Sequence, residues 1–178
     1  MDMNVIVSRL MRVLRFDASV YREIAADGTA MPQAGIVVTL AALVAALGQF
    51  TTWGIVGVIV IAVVSIIGFF IYAAVATFVA KTFFKGQTDF NEMGRTLGYA
   101  YVWYALGVLA LIPGVGGLLA WLGSIVAAVA GFIALRESAE FDNMKALVTV
   151  IIAAVVAGLI TAIVQVPALL MLGLSTAK

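Results

Sequence analysis

Along this chain the charged positions are bunched, and the apolar positions between them run on without a break. Residues 34–80, 96–135 and 146–177 contain no Asp, Glu, Lys or Arg. At ~1.5 Å of rise per residue, the first stretch extends ~70 Å as helix, more than twice a ~30 Å hydrocarbon core. It therefore holds two spans. The second stretch, ~60 Å by the same rise, also holds two, and the third holds one span and a tail. The pattern predicts helices over 34–50, 54–80, 97–112, 115–135 and 146–170. The expected fold is an all-α integral membrane bundle of five transmembrane helices over 34–178, with a cytoplasmic helical segment over 1–33 before it.

Composition points the same way. The chain is 65% hydrophobic and 11% charged, whereas a soluble domain carries about 25% charge to cover its core. No cleaved signal peptide is expected, because the apolar run after Arg9, Arg12, Arg15 and Arg22 is of full span length and lacks an A-x-A-like exit. Short uncharged connections at 51–53 and 113–114 alternate with charged ones at 81–96 and 136–145. Nine of the ten basic residues then fall on one side, with Lys178 opposite. The positive-inside rule makes that side cytoplasmic, with the N-terminus in and the C-terminus out. All nine acids share that face, so its net charge is near zero and a nucleic-acid partner is not expected.

The N-terminal segment is amphipathic. As a helix, residues 3–16 place Ile6, Leu10, Val13 and Leu14 on one face and Arg9, Arg12 and Arg15 on an adjoining flank. Two readings fit: a helix in the membrane interface with arginines at the headgroups, or a helix packed on the cytoplasmic ends of the spans. Asp17 is placed to cap a short helix over 18–26. Asp89 and Glu92 have capping-box spacing and start a surface helix that leads into the third span. Tyr99 and Tyr101 are expected near the interface, where aromatic rings are favoured.

Signs of chemistry are scarce. The chain has no cysteine and no histidine, which removes thiolate sites, the usual haem ligand and the commonest zinc ligand. The predicted spans contain no ionisable side chain of the kind that proton relays or intramembrane proteases require. No enzyme activity, cofactor or metal is therefore expected. In the acidic stretch "RESAEFD", Glu137, Glu140 and Asp142 are too few oxygen ligands for a calcium loop and have no turn glycine. The glycines of "IPGVGG" resemble a phosphate nest, but no basic residue lies near, and the stretch reads as a hairpin turn between spans. Among polar residues in the spans, Gln165 stands out. It lies two residues before Pro167, and interhelical hydrogen bonding there is favoured over a solute site.

Small residues recur at i+4: Gly116, Ala120, Ser124 and Ala128 in the fourth span, and Ala154, Gly158 and Ala162 in the fifth. Such stripes are expected to be helix-packing faces, inside the bundle first and toward a partner second.

The stretches "KGQTDFNEMGRTLGYA" and "LIPGVGGLLAWLGSIVAAVAGFIALRESAEFDNMKALVTVIIAAVV" resemble the Yip family, the Ypt/Rab-interacting membrane proteins, in its bacterial form. Gly98, Tyr99 and Ala100 match the family's Gly-Tyr-Ala helix start. Trp103 stands where a proline commonly follows. The resemblance implies a five-helix bundle with a cytoplasmic N-terminus in a bacterial cytoplasmic membrane. Eukaryotic members engage small GTPases and help shape membranes; without a long cytoplasmic N-terminal region, GTPase binding is not carried over. Two functions follow as expectations. The first is a non-catalytic membrane protein that organises lipid or recruits protein partners. The second is an accessory subunit, without its own cofactor, among other integral membrane subunits of a bioenergetic or transport complex.

Overall fold

A computed structural model describes residues 3–176, and all its regular elements are helical. Two short helices, α1 (Met3–Val13) and α2 (Ala18–Ala26), precede α3 (Ala30–Leu47) and α4 (Phe50–Phe84). Next come α5 (Phe90–Ala100), a 3₁₀ segment over Tyr101–Leu111, α6 (Gly116–Ser138) and α7 (Asn143–Thr176). Four of these, Ala30–Leu47, Phe50–Phe84, Gly116–Ser138 and Asn143–Met171, are α-helices long and apolar enough to cross a membrane.

The helix starts follow local chemistry. Asp17 accepts from the Ser19 amide and caps α2, and Asp89 accepts from the Glu92 amide and caps α5. Helix α3 begins four residues before its expected start, because Pro32 sits in the first turn, where no intrahelical N–H is needed. The expected domain boundary at 33/34 therefore falls inside a helix. Gly54, at φ 60°, breaks the helical path near the start of α4.

The third predicted span is the main departure. Residues 97–112 do not form one α-helix: α5 ends at Ala100 and the chain continues as eleven residues of 3₁₀ helix. This segment runs alongside α3. Gly98 sits against Ala34 at one end, and Gly107 lies against Ala45 and Gly48 at the other. A Cβ on Gly98 would come within 2.8 Å of the Ala34 Cβ, so only glycine permits this approach.

Contacts between distant loops gather the described charged residues at one end. Arg22 pairs with Glu137, Arg95 donates to the Ile24 and Ala25 carbonyls, and Phe84 meets Phe141 edge to face. The main core lies at this end and joins Val13, Tyr21, Ile24, Met93, Tyr99 and Leu135. Toward the opposite end is a small second cluster of Ala46, Val58, Ile61 and Ala62.

Candidate functional site

The charged end is a closed polar network. Arg9 is buried; its Nε donates to Glu23 (3.0 Å), and its Nη1 donates to Asp27 (2.8 Å) and to Gln33 Oε1 (3.3 Å). The same Gln33 oxygen accepts from the Tyr99 hydroxyl at 2.6 Å. Arg12 joins Asp17 (2.8 Å) to Glu23. Asp27 is held down to about 2, first by the Thr29 hydroxyl and then by Arg9. Asp17 is lowered to about 2 by Ser19 and then Arg12, and Glu23 is lowered by Arg12 and Arg9. These carboxylates stay charged because each is a hydrogen-bond acceptor in its charged form.

This network takes up two of the three arginines that the interfacial reading puts at the headgroups. Arg9 faces inward, where Glu23, Asp27 and Gln33 neutralise it. Arg12 is half-exposed and spent on ion pairs, and Arg15 stays exposed without an ion pair among the described residues. The apolar face also divides. Ile6 and Val13 are buried in the core and Leu10 packs against it. Leu14 is instead exposed, together with Met3, Val7 and Met11. These four recur at helical spacing along one outer stripe. Phe16, at φ 56°, closes the helix and stacks on Trp103 at 5.2 Å and 16°. The tryptophan at the family's proline position thus ties the N-terminal segment to the 3₁₀ segment.

Of the family-motif residues, Gly98 provides the α3 approach, Tyr99 joins the network and Ala100 is buried in the core. Tyr99 is therefore a buried core residue. Tyr101 is half-buried and donates to the Ser65 carbonyl at 3.3 Å.

The small-residue stripes are placed differently from expectation. Gly116 does pack, on the Leu109 and Ala110 carbonyls. Ala120, Ser124, Ala128, Ala154 and Gly158 instead line cavities between helices, and Ala162 is exposed. The packing faces are offset. In α6 they run through Gly123, against Leu106, to Ala130 and Ala134; in α7 they run through Ala146, Thr149, Ala153 and Ala157. Alanine and glycine occur all round these helices, so their spacing alone could not select a face.

The cavities form a seam where the 3₁₀ segment meets α4, α6 and α7. A polar one of about 220 Å³ is lined by Ser65, Tyr72, Tyr104, Thr161 and Gln165. It shares Phe69, Tyr72, Tyr101, Tyr104 and Ala154 with an apolar one of about 340 Å³ that reaches Leu97, Gly131 and Val150. A third, of about 390 Å³, continues past Gln165 to Gln49 and Trp53. Gln165 thus lines the seam, and among the described residues its side chain makes no interhelical hydrogen bond.

The remaining candidates resolve simply. Gly114, at φ 81°, makes the hairpin turn, and the Gly116 amide is used by the Ile112 carbonyl at 2.8 Å. Glu137 pairs with Arg22 and Arg136, and Asp142 accepts from the Lys145 amide at the start of α7. Lys178, counted on the opposite face, lies outside the described residues.

Long apolar helices, one charged end among the described residues and a folded N-terminal cap define a polytopic helical membrane protein. Residues 11–165 match the Yip1 domain family. The chain belongs to that family. No curated protein and no solved structure matches it.

Proposed function

We propose that this is a non-catalytic membrane protein that organises lipid at the cytoplasmic surface, using α1 as an interfacial helix on a five-span bundle. The observation that carries this reading is the outer stripe of α1. Met3, Val7, Met11 and Leu14 are 66%, 54%, 47% and 40% exposed, which is costly for apolar side chains facing water. Arg15 flanks them without an ion pair among the described residues, as suits a helix at an anionic surface. The ion-pair network holds the helix rigidly in place, so the stripe has a fixed height on the bundle. The Phe16–Trp103 stack supports a height at the start of the third span, where tryptophan favours the interface.

The five-span arrangement rests on the path of residues 97–112. At ~2.0 Å per residue a 3₁₀ run of this length extends ~22 Å, and with the last turn of α5 it approaches a ~30 Å core. Its contacts with α3 at both ends support a full crossing. The basic end then faces the cytoplasm, with the hairpin at Gly114 outside.

The natural absence of cysteine suits a labelling test. A spin label at Val7→Cys in the full-length protein, in nanodiscs of phosphatidylethanolamine and phosphatidylglycerol, should collide with oxygen more than with an aqueous nickel chelate. The opposite accessibility overturns the interfacial reading. In intact cells, Val115→Cys should react with an impermeant thiol reagent and Ser8→Cys should not. Reaction at both removes the five-span topology. Co-purification at fixed stoichiometry with cofactor-bearing subunits selects the accessory-subunit reading instead.

A further inference from the structure

The seam changes chemistry along its length. Its middle carries the Tyr72 hydroxyl and the Gln165 carboxamide, neither with a hydrogen-bond partner among the described residues, beside Tyr104, which is 3.4 Å from Ser65 Oγ. In helices that cross a bilayer, polar groups left unpaired are expensive, and they mark a place where something else completes them. The adjoining cavity is walled by Phe69, Leu97, Ala127, Gly131 and Val150 and offers little but hydrocarbon. Among the described residues, no Asp, Glu, Lys or Arg lines either cavity. A phosphate or carboxylate headgroup would find no counter-charge there. A hydrated solute would leave the polar stretch only to meet the apolar one, so the seam does not have the lining of a passage.

We propose that this seam binds an uncharged lipid amphiphile of the diacylglycerol type. Its free hydroxyl and ester carbonyls complete the hydrogen bonds of Tyr72 and Gln165, and one acyl chain lies in the apolar cavity against α6. The small side chains at Ser124, Ala128, Ala154 and Gly158 are what keep that space open. This site is separate from the outer stripe of α1 and stands or falls independently of it.

The test uses the full-length protein in nanodiscs of phosphatidylethanolamine and phosphatidylglycerol, with a diacylglycerol carrying a diazirine in one acyl chain. After photolysis, label is expected on 127–131 of α6 and 150–154 of α7. Unlabelled dioleoylglycerol should remove it, and added phosphatidylglycerol should not. Gly158→Leu should cut labelling at least fivefold, because a Cβ there meets nothing within 4 Å and the side chain grows into the seam. Tyr72→Phe combined with Gln165→Leu should do the same with an unchanged thermal midpoint. Equal labelling by a diazirine phosphatidylglycerol, or label that dioleoylglycerol does not displace, overturns the proposal without any variant. Glycerol uptake by proteoliposomes that Gly158→Leu abolishes overturns it in favour of a passage.

Discussion

At the charged end, α1, α2, α3 and α5 are joined by directional bonds: one buried guanidinium serves two carboxylates and a carboxamide, and that carboxamide also takes a tyrosine hydroxyl. Large side chains such as Tyr21, Met93 and Leu135 fill the space between. Along the seam, Gly107 packs on Ala45, Gly68 on Thr161 and Tyr101 on Phe69 and Tyr104, and cavities remain between the helices. The difference follows from solvent. Where water is at hand, folding can bury large apolar side chains and pair charges. Within lipid, helices gain nothing from hiding hydrocarbon, and close contact between small residues takes over. The first region is built to be rigid, and the second keeps room.

The largest test of this contrast is at Arg9. Arg9→Ala leaves Glu23 and Asp27 without their shared partner and should cost about 3 kcal/mol, at the low end for a broken buried pair because both acids retain some solvent. Arg9→Lys should recover little, since an ammonium cannot span three acceptors as a guanidinium does. Gln165→Leu, on the seam, should change the unfolding free energy in detergent by less than about 0.5 kcal/mol. Equal costs at the two sites would show that the seam is as tightly specified as the cap.

A second pair compares two glycines. Gly98→Leu forces α5 away from Ala34 and should destabilise by about 1–3 kcal/mol. Gly158→Leu has open space and should leave the thermal midpoint nearly unchanged. A large loss at Gly158 means that the seam closes in the folded protein.

Those glycines also show how much was legible beforehand. Charge spacing revealed the apolar helices and the alternation of short and long loops, because a missing charge over tens of residues has one physical meaning. It did not reveal which side of α6 or α7 packs: Ser124 and Ala128 have the same spacing as true contact residues, and apolar helices carry no polar face to orient them. The Arg9 network was hidden for another reason. Its partners lie 14, 18 and 24 residues away, in elements whose relative placement a sequence does not state. The 3₁₀ segment had no signal at all, since "YVWYALGVLAL" reads equally well as α-helix.

Acid should separate the two regions more gently. Asp27 falls from its ordinary value near 3.8 to about 2 in the folded protein, and Glu23 is also lowered. Their contribution is complete above the unfolded value and is lost as pH falls through the folded one, so stability should decline between about pH 4 and pH 2. The described part of the seam has no carboxylate. Hydrogen exchange at about pH 3 should therefore show α1 and α2 loosening relative to pH 6, while α7 keeps its protection. In Arg9→Ala that difference should shrink.

The smallest expected effect is at Tyr21, which with Trp103 Nε1 is one of two places among the described residues where a buried polar atom is left without a partner. Its side chain is fully buried in the core, and its hydroxyl has no hydrogen-bond partner among the described residues. Burial also pushes its pKa up, so it stays neutral throughout the working range. A buried hydroxyl without a partner loses water and gains nothing in return, a cost of about 1–3 kcal/mol. Tyr21→Phe removes that atom while keeping the ring that packs beside Val20 and Ile24. The substitution should therefore be neutral or stabilise by up to about 1 kcal/mol, and the ion-pair network two residues away should be undisturbed. Destabilisation would mean that the hydroxyl has a partner, such as a bound water.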